Sequence, residues 1–460
     1  MNSYRSETRF FTFETYKFDV ATLQAHFYYS LVDIQNPQNT EGFEEIISFD
    51  DGNFDLRSDI CFDVLENLLF HLHLALGISY YKLYPTEKLV IKSGNIEAQG
   101  LAFWKKFYQN GLGEFLYTNN IHPEKLFQFS CTSEYHITQQ KFSTGERALV
   151  PVGGGKDSIV SLELLKKGQI DFDTFVFGKI DPIKEKCIEV TEKKNFFVQR
   201  QLSKRLFELN ETGEYFNGHV PITGIIAFSM EIVAYLFDYK YLILSNELSA
   251  NFGNTHWKGI DINHQWSKSL DFEKDFSDYV FRYMNENIKY FSLLRGLYEI
   301  KIAEIFSQVG KKYFQNFSSC NKNFKIKKST SHQGLWCNEC PKCAFVFSML
   351  FAFLSEKEML DIFGKNLYKE KKIQTLFEEL LGVSGIKPFE CVGTNEEVLY
   401  AFYQAYTQGK LEGTYMLDIF LQKVLTQITE NEIDKIEKKL FKIHKEDIIP
   451  VEIREKIHFS

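Results

Sequence analysis

Apolar and polar positions alternate with a period of two across RFFTFETYKFD and AHFYYSLVDI, and the acidic, Gly-containing FDDGNFD follows, so residues 1–50 predict an antiparallel meander. The spacing then becomes helical. DVLENLLFHLHLALGISYYKLY carries apolar residues on a helix repeat, and LAFWKKFYQNGLGEFLYTN repeats the signal until Gly and Asn end it. From residue 148, ALVPVGGGKDSIVSLELLKKG reads as a short apolar strand, a glycine turn and a helix that stops at Gly168, with DFDTFVFGK as the next strand. Helix and strand keep alternating through FFVQRQLSKRLFELN, an apolar helix at 222–237 and the strand KYLILSNE at 240–247. That is the texture of a parallel sheet with helical crossovers, a doubly wound α/β fold. A loop-rich stretch containing Cys and Lys occupies 311–343, AFVFSMLFAFLS reads as a buried helix, and the last hundred residues are mostly helical, with ENEIDKIEKKLFKIHKED polar enough to be solvated. The expected units are an α+β N-terminal domain (1–145), the α/β domain (146–310), a cysteine-bearing segment (311–350) and a helical C-terminal region (351–460).

Composition narrows the partners. With 460 residues and 44% hydrophobic content the chain can bury more than one core. The net charge is −8 and the 53 Lys+Arg are scattered along the chain, which argues against nucleic acid. The most apolar window, PITGIIAFSMEIVAYLFD, carries Glu231 in its middle and falls short of the roughly 20 apolar residues a membrane span needs, so it predicts a buried helix. MNSYRSETRFFTFETYKF lacks the pattern of a secretory leader, and a cytoplasmic location is the expectation.

Chemistry concentrates in two places. In the first, a strand delivers GGGKDS straight into a helix. Gly153, Gly154 and Gly155 let the backbone approach phosphate oxygens, and the N–H groups at the helix start face an anion that the helix dipole favours. Lys156 adds a point charge, Ser158 a hydroxyl donor, and Asp157 a carboxylate able to hold Mg²⁺. The pattern is not a Walker A loop; a plain glycine turn is the bland alternative. Ligands of open α/β sheets sit beyond the carboxyl ends of strands, which singles out Ser245, Asn246 and Glu247 after KYLIL and Gly178 after FVF, although an ordinary polar turn also fits the former.

The second place is the cysteine cluster. Cys61, Cys131, Cys187 and Cys391 are isolated, whereas WCNECPKC supplies Cys337, Cys340 and Cys343, and Cys320 can close a four-thiolate site. Such a set suits structural zinc; an iron–sulfur cluster and plain reduced cysteines are the alternatives, and His332 is a weaker substitute ligand.

The GGGKDS loop resembles that of the PP-loop ATP pyrophosphatases, most of which carry Ser where this chain has Gly153. The resemblance extends further. ISYYK (78–82), NGLGEF (110–115), RLFELN (205–210), NGHVPIT (217–223), SNELSA (245–250), NHQWSK (263–268), FSLLR (291–295), FSSCN (317–321), CNECPKCAFVF (337–347), IFGKNL (362–367) and KPFECVG (387–393), together with the loop, resemble the ATP-dependent UDP-N-acetylmuramoyl-L-alanyl-L-glutamate epimerase (MurL) family. What this resemblance implies is inversion of the terminal L-Glu of UDP-MurNAc-L-Ala-L-Glu to D-Glu, with ATP going to AMP and pyrophosphate. Capping the carboxylate as an acyl-adenylate removes its negative charge and makes the α-proton removable. Candidates for proton transfer are His219, His264, Glu247, Lys268 and Cys391, while Arg295 suits clamping a carboxylate or phosphate. Another adenylating enzyme, or a non-catalytic zinc- and nucleotide-binding module, would share the loop and the cysteines.

Overall fold

The alternating N-terminal segments form β1 (Arg9–Asp19), β2 (Gln24–Asp33) and β3 (Glu41–Ser48), paired antiparallel in chain order as the predicted meander. A computed structural model describes residues 4–49, 54–323, 334–385 and 388–459. The remaining strands are β4 (Lys88–Ile91), β5 (Gln128–Cys131), β6 (Arg147–Pro151), β7 (Phe172–Gly178), β8 (Asn195–Gln201), β9 (Tyr239–Leu244), the small hairpin β10 (Thr255–Trp257) and β11 (Ile260–Ile262), and β12 (Lys289–Ser292). Ten of the twelve make one sheet in the order β12-β9-β6-β7-β8-β3-β2-β1-β4-β5. The half from β12 to β8 is parallel throughout. It meets the meander where Ile46 of β3 pairs antiparallel with Gln201 of β8.

Strands buried on both faces need apolar side chains at every position, and ALV of β6 supplies them. Ala148 and Val150 face a core built with the helices Lys156–Lys167, Glu299–Val309 and Pro341–Phe351. Leu149 faces a second core with the helices Phe62–Tyr81, Ile222–Phe237 and Leu270–Tyr283. In β9, Tyr241 and Ile243 join the first core and Leu242 and Leu244 the second. Helices therefore cover both faces of the parallel half. β6 lies between β7, the next strand in the chain, and β9, so the connections leave it in opposite directions and a crevice opens at its carboxyl end.

Residues 98–118 form two helices, Ala98–Gly111 and Gly113–Thr118, where the periodicity suggested a continuous one. The four-residue strands β4, β5 and β12 carry too little pattern to be read in advance. The apolar window at 221–238 is the buried helix its interrupting carboxylate predicted, and burial pushes the Glu231 carboxyl well above the usual range. Among the described residues no helix is long and apolar enough to cross a membrane.

Candidate active site

The turn leaving β6 enters the crevice at the switch point. Gly154 adopts φ +83°, a conformation glycine takes without strain, and a Cβ on Gly155 would stand 2.7 Å from Ser319 Oγ. The added Cβ of Gly153 would meet nothing, so the loop backbone is open on that side. No side chain caps the helix Lys156–Lys167, which leaves its first-turn N–H groups for an anion. The Ser318 N–H donates to the Gly154 carbonyl at 2.9 Å and fixes the loop from below. Ser158 Oγ donates back to the Gly155 carbonyl at 3.0 Å.

Three carboxylates and three ammonium groups meet above this loop. Asp157, Glu247 and Glu299 bring one oxygen each within 4.8 Å of one another. Lys156, 1% exposed, is paired with Asp157 and Glu299. Lys342 Nζ lies 3.8 Å from Glu299 Oε1 and also donates to the Cys391 carbonyl. Burial raises the Glu247 and Glu299 carboxyls, and the neighbouring Asp157 raises both further. Asp157 resists its burial because Lys156, Lys342 and Lys268 hold it below the ordinary range.

Lys268 joins this cluster to a second one: its Nζ lies 3.3 Å from Cys391 Sγ. Cys391 is half-buried and lies beside His264, whose Nδ1 pairs with Glu114 Oε2. The His219 ring stacks obliquely on His264 with centroids 4.5 Å apart, and its Nδ1 is 3.7 Å from Glu114 Oε2. These neighbours separate the titrations. Burial pushes the Cys391 thiol up, but Lys268, His264 and Lys342 outweigh it and bring it to about 6. Burial likewise disfavours charge on His264, yet Cys391 beside it and its bond to Glu114 lift it to about 9. His219, desolvated and beside His264, falls to about 4. At neutral pH the group is a thiolate, an imidazolium and a neutral imidazole.

The four clustered cysteines converge too. Cys320, Cys337, Cys340 and Cys343 place their sulfurs within 4.8 Å of one another, a set that can hold a metal ion. His332 lies outside the described residues.

A family model for the MurL N-terminal domain matches residues 2–293, and one for the MurL C-terminal domain matches residues 316–435. The chain belongs to the MurL family. It is similar to proteins named UDP-N-acetyl-alpha-D-muramoyl-L-alanyl-L-glutamate epimerase from Xanthomonas oryzae pv. oryzae (33% identical, 85% of this chain and 86% of that protein) and Micromonospora sp. (35%, 85% of each). A third, of the same name, comes from Salinispora tropica (34%, 85% of this chain and 83% of that protein).

In this chain the loop residues and the five candidates for proton transfer form one run of neighbouring groups, drawn from positions between 153 and 391. Others lie apart. Gly178, φ +91°, ends β7 and lines a groove of about 480 Å³ with Lys179, Gln199 and Arg200. Asn246 Nδ2 donates to Ser292 Oγ at 3.0 Å, and Ser245 Oγ is buried without a hydrogen-bond partner among the described residues. Arg295 is fully buried. Its guanidinium is committed to Glu273 at 2.7 Å, to the Glu247 carbonyl at 2.8 Å and to the Lys268 carbonyl at 2.6 Å, so it positions the backbone of two site residues. Sequence reasoning missed Glu114, Glu299 and Lys342. Glu114 lies within the NGLGEF motif and Lys342 between two metal-type cysteines, signals that were present, whereas Glu299 follows the unread edge strand β12.

Because the thiolate is the reactive form, iodoacetamide should modify Cys391 in the folded MurL protein at a rate rising with pH through about 6 and level by about pH 8. Lys268→Met should move that midpoint upward by about one unit or more. A wild-type midpoint near the free-thiol value of about 8.5 would contradict the charge arrangement.

Proposed function

We propose that this chain inverts the terminal L-Glu of UDP-MurNAc-L-Ala-L-Glu to D-Glu in the cytoplasm, consuming ATP to AMP and pyrophosphate through an acyl-adenylate. The observation that carries the reading is the junction of two groups of side chains: an uncapped helix start with its carboxylates, joined through Lys268 to Cys391 and to two histidines that share Glu114. The identity to the named epimerases over 85% of the chain supports the substrate.

The strand order and the loop after β6 support a PP-loop ATP pyrophosphatase core. Gly153, Gly154, Gly155, Lys156 and Ser158 would cradle the phosphates, with Ser245, Asn246 and Gly178 toward the nucleoside. Asp157, Glu247 and Glu299 fit Mg²⁺: they are oxygen donors held close together, and their mutual repulsion is what a cation relieves. When bound, Mg²⁺ would neutralise phosphate charge. The four thiols fit structural zinc better than a catalytic metal, because a four-protein-ligand set leaves no open position.

His219 and His264 suit the proton transfers, since an acid–base pair is recognised by environments that drive two pKa values apart. Neutral His219 can accept the α-proton and His264 can donate one, with Glu114 orienting both. A free carboxylate would pile a second negative charge beside the first on deprotonation; activation removes that obstacle.

In deuterium oxide the protein should place deuterium at the α-carbon of the terminal glutamate and invert it, only with ATP present and with AMP as nucleotide product. A substrate amidated at that carboxylate should show neither exchange nor turnover. AMP formation with retained configuration and α-proton would leave an adenylating enzyme of another kind.

Purified protein should contain about one zinc per chain, and Cys340→Ser should lose it together with thermal stability, because metal binding here is folding energy. Zinc-free protein, or iron with acid-labile sulfide, would refute the zinc assignment.

A further inference from the structure

We infer that Cys391 is a nucleophile that takes the activated glutamyl group from AMP as a thioester, with His264 and Glu114 completing a Cys–His–Glu relay; the inference rests on the adenylation reading above. An activated nucleophile is recognised by a base within hydrogen-bond reach and a third group that orients the base. His264 lies beside Cys391 and favours its thiolate, and His264 Nδ1 is bonded to Glu114. Lys268 Nζ lies 3.3 Å from the sulfur, and Lys342 holds the carbonyl of the same residue while contacting Glu299 at 3.8 Å. A single ammonium thus bridges the backbone of the thiolate residue and the carboxylates above the phosphate loop. Cys391 stands outside the group of four clustered cysteines, so no metal there occupies its sulfur. The favoured thiolate form is available at neutral pH.

The step balances. The thiolate attacks the carbonyl carbon of the acyl-adenylate, a C–S bond forms, the bond from that carbon to the phosphate oxygen breaks, and AMP leaves with the electron pair. The thioester has no carboxylate charge beside the α-carbon, and sulfur donates weakly into the carbonyl, so the α-proton stays acidic after AMP is gone. His219 removes that proton and it is restored on the opposite face. Water then attacks the thioester carbonyl, the product carboxylate forms, its two protons pass to solvent, and the thiolate is regenerated. Tethering also keeps the activated group from diffusing away before inversion.

Overall stoichiometry is unchanged, so the test must catch the bond. Protein acid-quenched through a single turnover with ATP and UDP-MurNAc-L-Ala-L-Glu should gain the mass of the substrate less one water. The adduct should map to the peptide containing Cys391 and be removed by neutral hydroxylamine. Cys391→Ala should still exchange labelled pyrophosphate into ATP in a substrate-dependent way, because that exchange precedes any attack on the carbonyl. Its AMP release and α-deuterium incorporation should both fall on the order of 10³-fold or more. AMP release or α-exchange by Cys391→Ala near the wild-type rate overturns the inference, as does absence of the adduct across the time course of AMP release. Wild-type protein without substrate-dependent pyrophosphate exchange removes the adenylation reading itself, and the thioester with it.

Discussion

Gathering three carboxylates and three ammonium groups at the carboxyl end of β6, with Lys156, Glu247, Glu299 and Lys342 buried, is the constraint on which the rest of the site depends. Each ion taken from water costs several kcal/mol, and only close, well-directed pairing offsets it. The neighbourhood is built accordingly. Lys156 sits between Asp157 and Glu299, and Lys342 spans Glu299 and the Cys391 carbonyl. Arg295 carries no solvent exposure and spends its donors on Glu273 and the backbone of Glu247 and Lys268. A cluster assembled only for stability would gain more from apolar packing. Its carboxylates are instead raised by burial and by one another, a cost that the cation proposed above would relieve.

The cysteine segment is structurally part of this arrangement. Ser318 and Ser319, just before Cys320, hold Gly154 and lie against Gly155, and Lys342 stands between Cys340 and Cys343 at the start of the helix Pro341–Phe351. A metal joining the four thiols would therefore fix both the floor of the phosphate loop and the lysine that reaches the thiolate residue. The C-terminal region is bound in similarly: Glu397 accepts from Ser249 at 2.8 Å and from the Ile300 N–H at 3.4 Å, which ties the helix Asn395–Thr407 to the segment after β9 and to the start of the helix Glu299–Val309.

Elements with a strong local period were legible in the sequence, and so were residues with distinctive chemistry. The meander, the β6 loop and the helix around Glu231 follow from alternation, glycine placement and helical spacing. All five candidates for proton transfer meet in one cluster although His219 and Cys391 are far apart in sequence: His219 and His264 stood in polar, helix-breaking surroundings, and Glu247, Lys268 and Cys391 lay in motifs that carry the family resemblance. What escaped depends on tertiary placement. β12 has four residues and no readable period, so Glu299 at its exit carried no signal. Arg295 resembles an anion clamp until its partners are known, and Glu114 acquires meaning only when folding brings His219 and His264 to it.

The central claim is that the phosphate loop and the thiolate–imidazole cluster act on the same carboxylate. Substrate labelled with ¹⁸O in the terminal glutamate carboxylate tests this directly, by mass spectrometry of the nucleotide product. Attack of that carboxylate on the α-phosphorus predicts one labelled oxygen transferred to AMP for each turnover. Turnover with unlabelled AMP, or with the label in pyrophosphate, would contradict it.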